Sequence, residues 1–392
     1  MSGCDFFWPD DPDLRVLADS VRESVSAAER GAVLRPDDDV WRQWLAMEFD
    51  RVGLPERFGG PGGTLRDVVT VEMTLAAVPV SLPALSIAVL THELLGELDF
   101  QRERGLLPLL PRHPVPVVDG RVTARVDGVW WYGGASSLLL PVMLNDSGEQ
   151  TWSLARLDVE EQDVAVSENL AGEPRARLEL RERCVTVLGA RWAPSRFREV
   201  QATAVLLTAA RLVGALCGVR DLTLTYVAQR RQFERPLAAL PVVQQGLAEI
   251  AEQVSAALAA LDVAAHTGHP GQAFAAGHRA AEAAGVVARL SHQLHGAMGT
   301  SREYPLGQYT RRLWAWTDET DLAERSLVLL QQDVEERTDI QGDLWMAVEA
   351  LRVPGWPRDP STTNATNRRR TRWATTSATS SPGSGASPRR RR

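Results

Sequence analysis

The sequence predicts an α+β protein, mainly α, with helices at both ends and a small β domain between them. Three observations predict it. Residues 12–100 carry apolar side chains at helical spacing, residues 106–200 switch to short alternating runs broken by Asp-Gly and Gly-Gly, and from about 196 to 345 the helical period returns. The expected division is an N-terminal helical domain over 1–105, a β domain over 106–195, a helical bundle over 196–345 and an Arg-rich tail over 346–392. A chain of 392 residues is long enough for two or three domains, or for one multi-part domain with a large core.

Each element has its own signal. "DLRVLADSVRESVSAAER" places Leu14, Leu17 and Val21 on one face and is polar elsewhere, so it reads as an amphipathic surface helix. "DDDVWRQWLAMEFDRVGL" repeats that pattern, with Asp at its start and Gly53 near its end. "FGGPGG" at 58–63 is a tight turn, and the apolar stretch after Arg66 is helix interrupted by Pro79 and Pro83. "VPVVDGRVTARVDGVWWYGGASSLLLPVML" has the alternation and turn dipeptides of strands. Ala202–Val219 is apolar nearly all round, which places its helix in the middle of a bundle. A membrane span is the competing reading of that helix, and Arg211 at its centre argues against it, at a cost of about 2.5–3.5 kcal/mol in lipid. Further helices are expected over roughly 238–268, 271–297 and 304–340. After about 354 the chain is of low complexity and too poor in apolar residues to fold.

Composition excludes several chemistries. There is no lysine, so all 43 basic residues are arginine. Schiff-base, P-loop and pyridoxal-phosphate chemistry, which need an ammonium, are therefore not expected. The cysteines Cys4, Cys184 and Cys217 are scattered and odd in number, which fits a reducing cytoplasm rather than a disulfide framework. The pairs His266/His269 and His292/His295 have no cysteine or acidic partner at ligand spacing, so no metal site is expected. "MSGCDFFWPDDPD" is acidic and lacks the apolar run of a signal peptide. The formal charge is −7 although residues 361–392 hold eight arginines and no acid. The body is thus strongly acidic, and neither nucleic acid nor membrane is expected as a partner. Contact of the tail with RNA is the alternative to a solvated tail without a defined role.

One stretch asks for a function. In "TYVAQRRQFERPLAALPVVQQGLAEIAEQV" a buried-looking helix runs into Arg230-Arg231-Gln232-Phe233-Glu234-Arg235 before a proline and a second helix. A join needs turn residues, not cations. The knot is either a solvated loop or an anion site.

"RRQFERPLAALPVVQQGLA" resembles the Arg-x-Gln-Phe-Gly-x-Pro-Ile segment of acyl-CoA dehydrogenases and the helix after it, with Arg230, Gln232, Phe233, Pro236, Leu237 and Gln244 on the marked positions. "HQLHGAMGTSREYPLGQYTRR" resembles that family's Gln-x-x-Gly-Gly-x-Gly segment and its Glu-Tyr-Pro continuation, through Gln293, Gly296, Gly299, Glu303, Tyr304, Pro305 and Arg311. "VGLPERFGGPGGT" is similar to an early loop of the family. The resemblance covers roughly residues 30–340 and is weakest in the β domain. It implies the acyl-CoA-dehydrogenase-like layout: N-terminal helices, a middle β domain and a C-terminal four-helix bundle. Three departures stand out. Glu234 replaces a usual glycine, Ala297 replaces the second glycine of its pair, and between Leu110 and Gly134 the flavin-covering Thr-Glu-Pro loop is missing, so the β domain reads as reduced.

The resemblance implies flavin-dependent α,β-dehydrogenation of an acyl thioester, on coenzyme A or an acyl-carrier protein, with an electron-transfer acceptor. It implies FAD held by Arg230 at the pyrophosphate, Gln232 and Phe233 along the cofactor, and Gln293, Gly296 and Gly299 at its far end. The family's arginine reaches the cofactor of a neighbouring subunit, so a homo-oligomer, or a hetero-oligomer with a related chain, is expected. A carboxylate must take the α proton, and Glu319 matches best by spacing, with Asp318 as the alternative. Four acids near a helix start, Asp318, Glu319, Asp321 and Glu324, are also what the helix dipole favours without any catalysis. Trp130 and Trp131 read as ordinary β-domain core or edge, the alternative being a flavin contact. A second functional class stays open: a non-catalytic or FAD-sharing partner subunit of a heteromeric dehydrogenase.

Overall fold

A computed structural model describes residues 11–26, 28, 38–80, 82, 84–95, 106–111, 113–131, 135–146 and 149–337. The expected Arg-rich tail and Cys4 lie outside the described residues.

Among the described residues, four helices form the N-terminal part: α1 (Pro12–Ser24), α2 (Asp39–Ala46), α3 (Leu65–Ala76) and α4 (Ala84–Leu95). Asp11 caps α1 by accepting from Leu14 N, and Thr64 and Asp67 form a capping box that starts α3. The helix expected through Gly53 stops earlier, at Ala46, because Glu48 turns into the left-handed region at φ 60°. Trp41, Trp44, Phe49 and Val71 pack into one buried cluster there.

Among the described residues the β domain has eight strands: β1 (Leu106–Pro108), β2 (Val115–Val118), β3 (Arg121–Trp130), β4 (Ser137–Asp146), β5 (Glu149–Asp158), β6 (Val164–Glu168), β7 (Pro174–Cys184) and β8 (Thr186–Trp192). Their order is β6-β7-β3-β2-β4-β5-β8, with β1 parallel to β4. Short β2 joins the two halves: Val115 and Pro116 pair with β4, while Val117 and Val118 pair with β3. The first Asp-Gly is a tight turn, as the sequence suggests, with Asp119 and Gly120 both at positive φ. The second is not. Asp127-Gly128 lies inside β3 as a bulge, with Gly128 at φ 71° and a register shift against β7 between Val126 and Val129.

The C-terminal part holds α5 (Pro194–Gln229), α6 (Pro241–Thr267), α7 (Pro270–His295), α8 (Leu306–Asp318) and α9 (Leu322–Arg337). α5 has 36 residues, so it runs about 54 Å through the molecule. It is long and apolar enough to cross a membrane by composition, yet most of its apolar window is covered by the other helices. Alanines and glycines let these helices approach closely. A Cβ on Gly214 would lie 2.1 Å from the Met73 carbonyl oxygen of α3. The helix expected over 304–340 is two helices, α8 and α9, because the chain turns at Asp321, φ 45°. That break sets Glu319 at the end of α8 instead of on a continuous helix face. The join of α5 and α6 is a two-residue hairpin, β9 (Arg231–Gln232) against β10 (Arg235–Pro236), with Phe233 at φ 52° and Glu234 at φ 63°. Such a turn favours Asn and Gly, so Phe and Glu here store backbone strain.

Candidate active site

The residues singled out in the sequence fall in two places. Arg230, Gln232 and Phe233 sit on the exposed hairpin at the far end of α5, and the Phe233 ring is 80% exposed. Gln293 and Gly296, at the end of α7, are exposed at the same end of the bundle. The two segments are tied one turn inside: the Tyr226 hydroxyl donates to the His295 carbonyl at 3.2 Å, and their rings stack at 4.3 Å. Tyr304 closes this cluster with its hydroxyl 3.2 Å from His295 Nε2. Burial pushes the His292 and His295 imidazoles down and the Tyr304 phenol up.

FAD is the cofactor that the fold implies, and the donor set at this end suits a diphosphate. Arg230 and Gln232 point outward on a rigid hairpin, and the surroundings of Gly296 are open, with no atom within 4 Å of an added Cβ. Gly299 is different. It is buried, and an added Cβ would lie 3.0 Å from His295 Cβ and 3.1 Å from Leu306, so its missing side chain serves packing at that point.

Glu319 lies elsewhere, where the β domain meets the bundle. It lines a cavity of about 500 Å³ together with Gly128, Trp130, Thr208, Arg211 and Trp316. The bulge in β3 brings the strand there: an added Cβ on Gly128 would be 4.0 Å from Glu319 Cβ. Asp318 is exposed and lies in a shallower groove with Ser167 and Arg177. Of the two candidate bases, only Glu319 lines the junction cavity, and it borders the groove as well.

Arg175 of β7 grips Glu319. Its Nη2 donates to Glu319 Oε2 at 2.9 Å, and its Nε lies 2.9 Å from Oε1. The same Nη2 donates at 2.8 Å to Glu173 Oε2, which also accepts from Trp316 Nε1 at 2.8 Å and Asn169 Nδ2 at 2.7 Å. Glu173 and Arg175 are buried, Glu319 partly so. Two carboxylates thus share one guanidinium, and the Arg175 guanidinium also lies 3.5 Å from the Trp130 ring centroid. Burial pushes the Glu319 carboxyl above its ordinary range, and Arg175 opposes that shift.

Deeper in, Arg211 of α5 stands beside Trp130, 5.0 Å to the ring centroid, and Trp316, 5.8 Å. Its Nε is 3.8 Å from Glu72 Oε2 of α3. Glu72 accepts a hydrogen bond from the Ser86 hydroxyl, and burial pushes its carboxyl up. Sequence reasoning missed Glu173 and Arg175. "PRARLEL" shows only strand alternation, and nothing in it says that β7 docks on the end of α8. Arg211 was visible as a lone charge in an apolar helix, although its cavity was not. Among the described residues no group of three or more His, Cys, Asp or Glu side chains is placed to hold a metal.

Helices before and after a strand domain, with a cavity and a carboxylate at their junction, define an acyl-CoA-dehydrogenase-like fold. The comparisons agree. Residues 203–316 match the family model "Acyl-CoA dehydrogenase, C-terminal domain". The acyl-CoA dehydrogenase IpdE2 of Mycolicibacterium smegmatis is 26% identical over 301 residues, covering 74% of this chain and 86% of the relative. Among solved structures, a chain of the ChsE4–ChsE5 complex from Mycobacterium tuberculosis superposes with a TM-score of 0.72 at 22% identity, covering 83% of this chain and 98% of that one. Butyryl-CoA dehydrogenase from Megasphaera elsdenii gives 0.66 at 17% identity, covering 82% and 97%. Residues 203–316 thus carry the C-terminal domain of acyl-CoA dehydrogenases, and the chain is similar to members of that family over most of its length.

Proposed function

We propose that this chain is a flavin-dependent dehydrogenase of acyl thioesters, on coenzyme A or a carrier protein, with Glu319 as the base. One observation carries the reading: the Glu319 carboxylate forms part of the wall of the large junction cavity, where burial raises its affinity for a proton. FAD, when bound, supplies the hydride acceptor for the β carbon. Arg230, Gln232, Phe233, Gln293 and Gly296 would hold it, with Gly299 packed behind them.

The shared guanidinium suits proton transfer. With both acids ionised, Glu173, Arg175 and Glu319 carry one net negative charge in a partly dry site. When Glu319 takes the α proton, Arg175 keeps Glu173 as its partner, and the cluster becomes neutral. Trp316 and Asn169 hold Glu173 in place, so the arginine has a fixed anchor as the Glu319 contact loosens.

Arg230 stands nineteen residues beyond Arg211, about 28 Å along α5. An arginine that far from the chain's own cavity is better placed to serve a second chain, which supports an oligomeric site and an external electron acceptor. The division into domains 1–105, 106–195 and 196–345 fits this scheme, with the site at their meeting point.

The test is an absorption spectrum with and without added FAD, followed by dye reduction with an acyl-CoA. Glu319→Gln is expected to keep the flavin bands and lower turnover by about 10²–10⁴-fold. A colourless protein that takes up no FAD sinks the reading.

A specific observation favours a second reading, in which the chain is a non-catalytic or FAD-sharing partner in a mixed oligomer. Trp130 lies against both Arg175 and Arg211, and Arg175 holds Glu319, in the region from which the flavin-covering segment is missing. A structural relative is itself named as a two-protein complex. Activity that arises only on mixing with a second dehydrogenase-like chain supports this reading, and an inactive mixture counts against it.

A further inference from the structure

α5 turns one polar stripe into the junction cavity. Gln201, Ala204, Val205, Thr208 and Arg211 follow each other at intervals of three, one, three and three, which is a single helix face, and all five line the cavity. Much of the middle of the helix around this face is Leu, Ala and Val core. A cavity for a plain hydrocarbon chain has no use for such a stripe.

Arg211 is its inner end. The side chain is 12% exposed, and its Nε is buried with no hydrogen bond. The Glu72 Oε2 atom at 3.8 Å is beyond hydrogen-bond reach and is itself an unpartnered buried oxygen. Two indole rings flank the guanidinium, which orients it without satisfying Nε. Two other charged residues of the cavity are paired more closely: Arg125 Nε is 3.0 Å from Asp127 Oδ2, and Glu319 is held by Arg175. Burial raises the Glu72 carboxyl, and Arg211 opposes that shift.

We propose that Arg211 anchors a carboxylate carried on the acyl part of the ligand, so that the preferred thioester bears a second acid group remote from its sulfur. A guanidinium binds a carboxylate through two parallel N–H donors, and Arg211 lines the same cavity as Glu319. An unsubstituted acyl chain would instead cover a buried charged donor and leave it unpaired, which selects against such ligands. The inference deepens the dehydrogenase reading and rests on it for the thioester.

The experiment is calorimetric titration of the full chain with adipoyl-CoA and hexanoyl-CoA, which have the same six-carbon acyl length. Adipoyl-CoA is expected to bind about tenfold or more tightly. In Arg211→Met that preference is expected to fall to within about twofold, through weaker adipoyl-CoA binding and tighter hexanoyl-CoA binding. Equal affinities in the unmodified protein overturn the proposal without any variant, as does a preference that survives Arg211→Met. Failure of both thioesters to bind overturns it as well. Turnover is read separately by dye reduction. A preference without turnover keeps the anchor and removes the dehydrogenase, whereas turnover without a preference does the reverse.

Discussion

The bundle and the domain junction are built on opposite principles. In the bundle, α5 and α7 meet through Ala209, Ala210, Ala276, Ala280 and Ala284, all at or near zero exposure, and small side chains let the backbones come close. At the junction the same depth is filled by Glu72, Glu173, Arg175 and Arg211, with Trp130 and Trp316 between them. The bundle holds together by area removed from water. The junction holds together by charges that must each find a partner. A region of the second kind is costly to assemble and sensitive to what enters it, which is expected where a protein handles a proton and a polar ligand.

The largest expected effect is at the junction. Arg175→Met leaves Glu173 as a buried carboxylate without its cation and should destabilise the fold by about 3–5 kcal/mol in urea unfolding. A loss under about 1 kcal/mol would mean that the junction is wetter than its packing implies. Next comes the bundle. Gly214→Ala puts a methyl group against the Met73 carbonyl, and backbone cannot rotate away, so a loss of about 1–3 kcal/mol is expected in the same assay. A neutral result would show that α3 and α5 slide apart freely.

The smallest effect separates the regions by pH. Burial depresses His295 in the bundle, so the unfolded chain takes up its proton first as the pH falls through about 6.5, and that contribution to stability is lost on the acid side. Burial raises Glu72 at the junction, so the folded state holds its proton longer, and stability declines as the pH rises above the ordinary glutamate value of about 4.3. Unfolding midpoints of His295→Gln and Glu72→Gln across pH 4–8 should flatten opposite limbs of the profile. The same limb flattened by both would contradict the assignment.

Legibility followed the same divide. The helices of the bundle, the largely apolar middle of α5, the Asp119-Gly120 turn and the two family motifs could be read because each depends on residues close in the chain. Motif spacing favours Glu319 over Asp318, and in the fold Glu319 lines the junction cavity while Asp318 is exposed. The break at Asp321 and the bulge at Gly128 were not legible. A positive φ at a non-glycine residue is imposed by its surroundings, and an Asp-Gly pair signals a turn equally well whether the strand ends or merely kinks.

The sequence by itself determined the order of helical and strand segments, the absence of lysine chemistry and the position of the arginine-rich join, since period and composition are local properties of the chain. Only the tertiary structure decided that β7 lends Arg175 to the end of α8, that α3 lends Glu72 to α5, and that Arg230 stands remote from its own cavity. Those pairings join residues such as Arg175 and Glu319, 144 positions apart, which are selected by how whole elements dock and leave no mark on neighbouring residues.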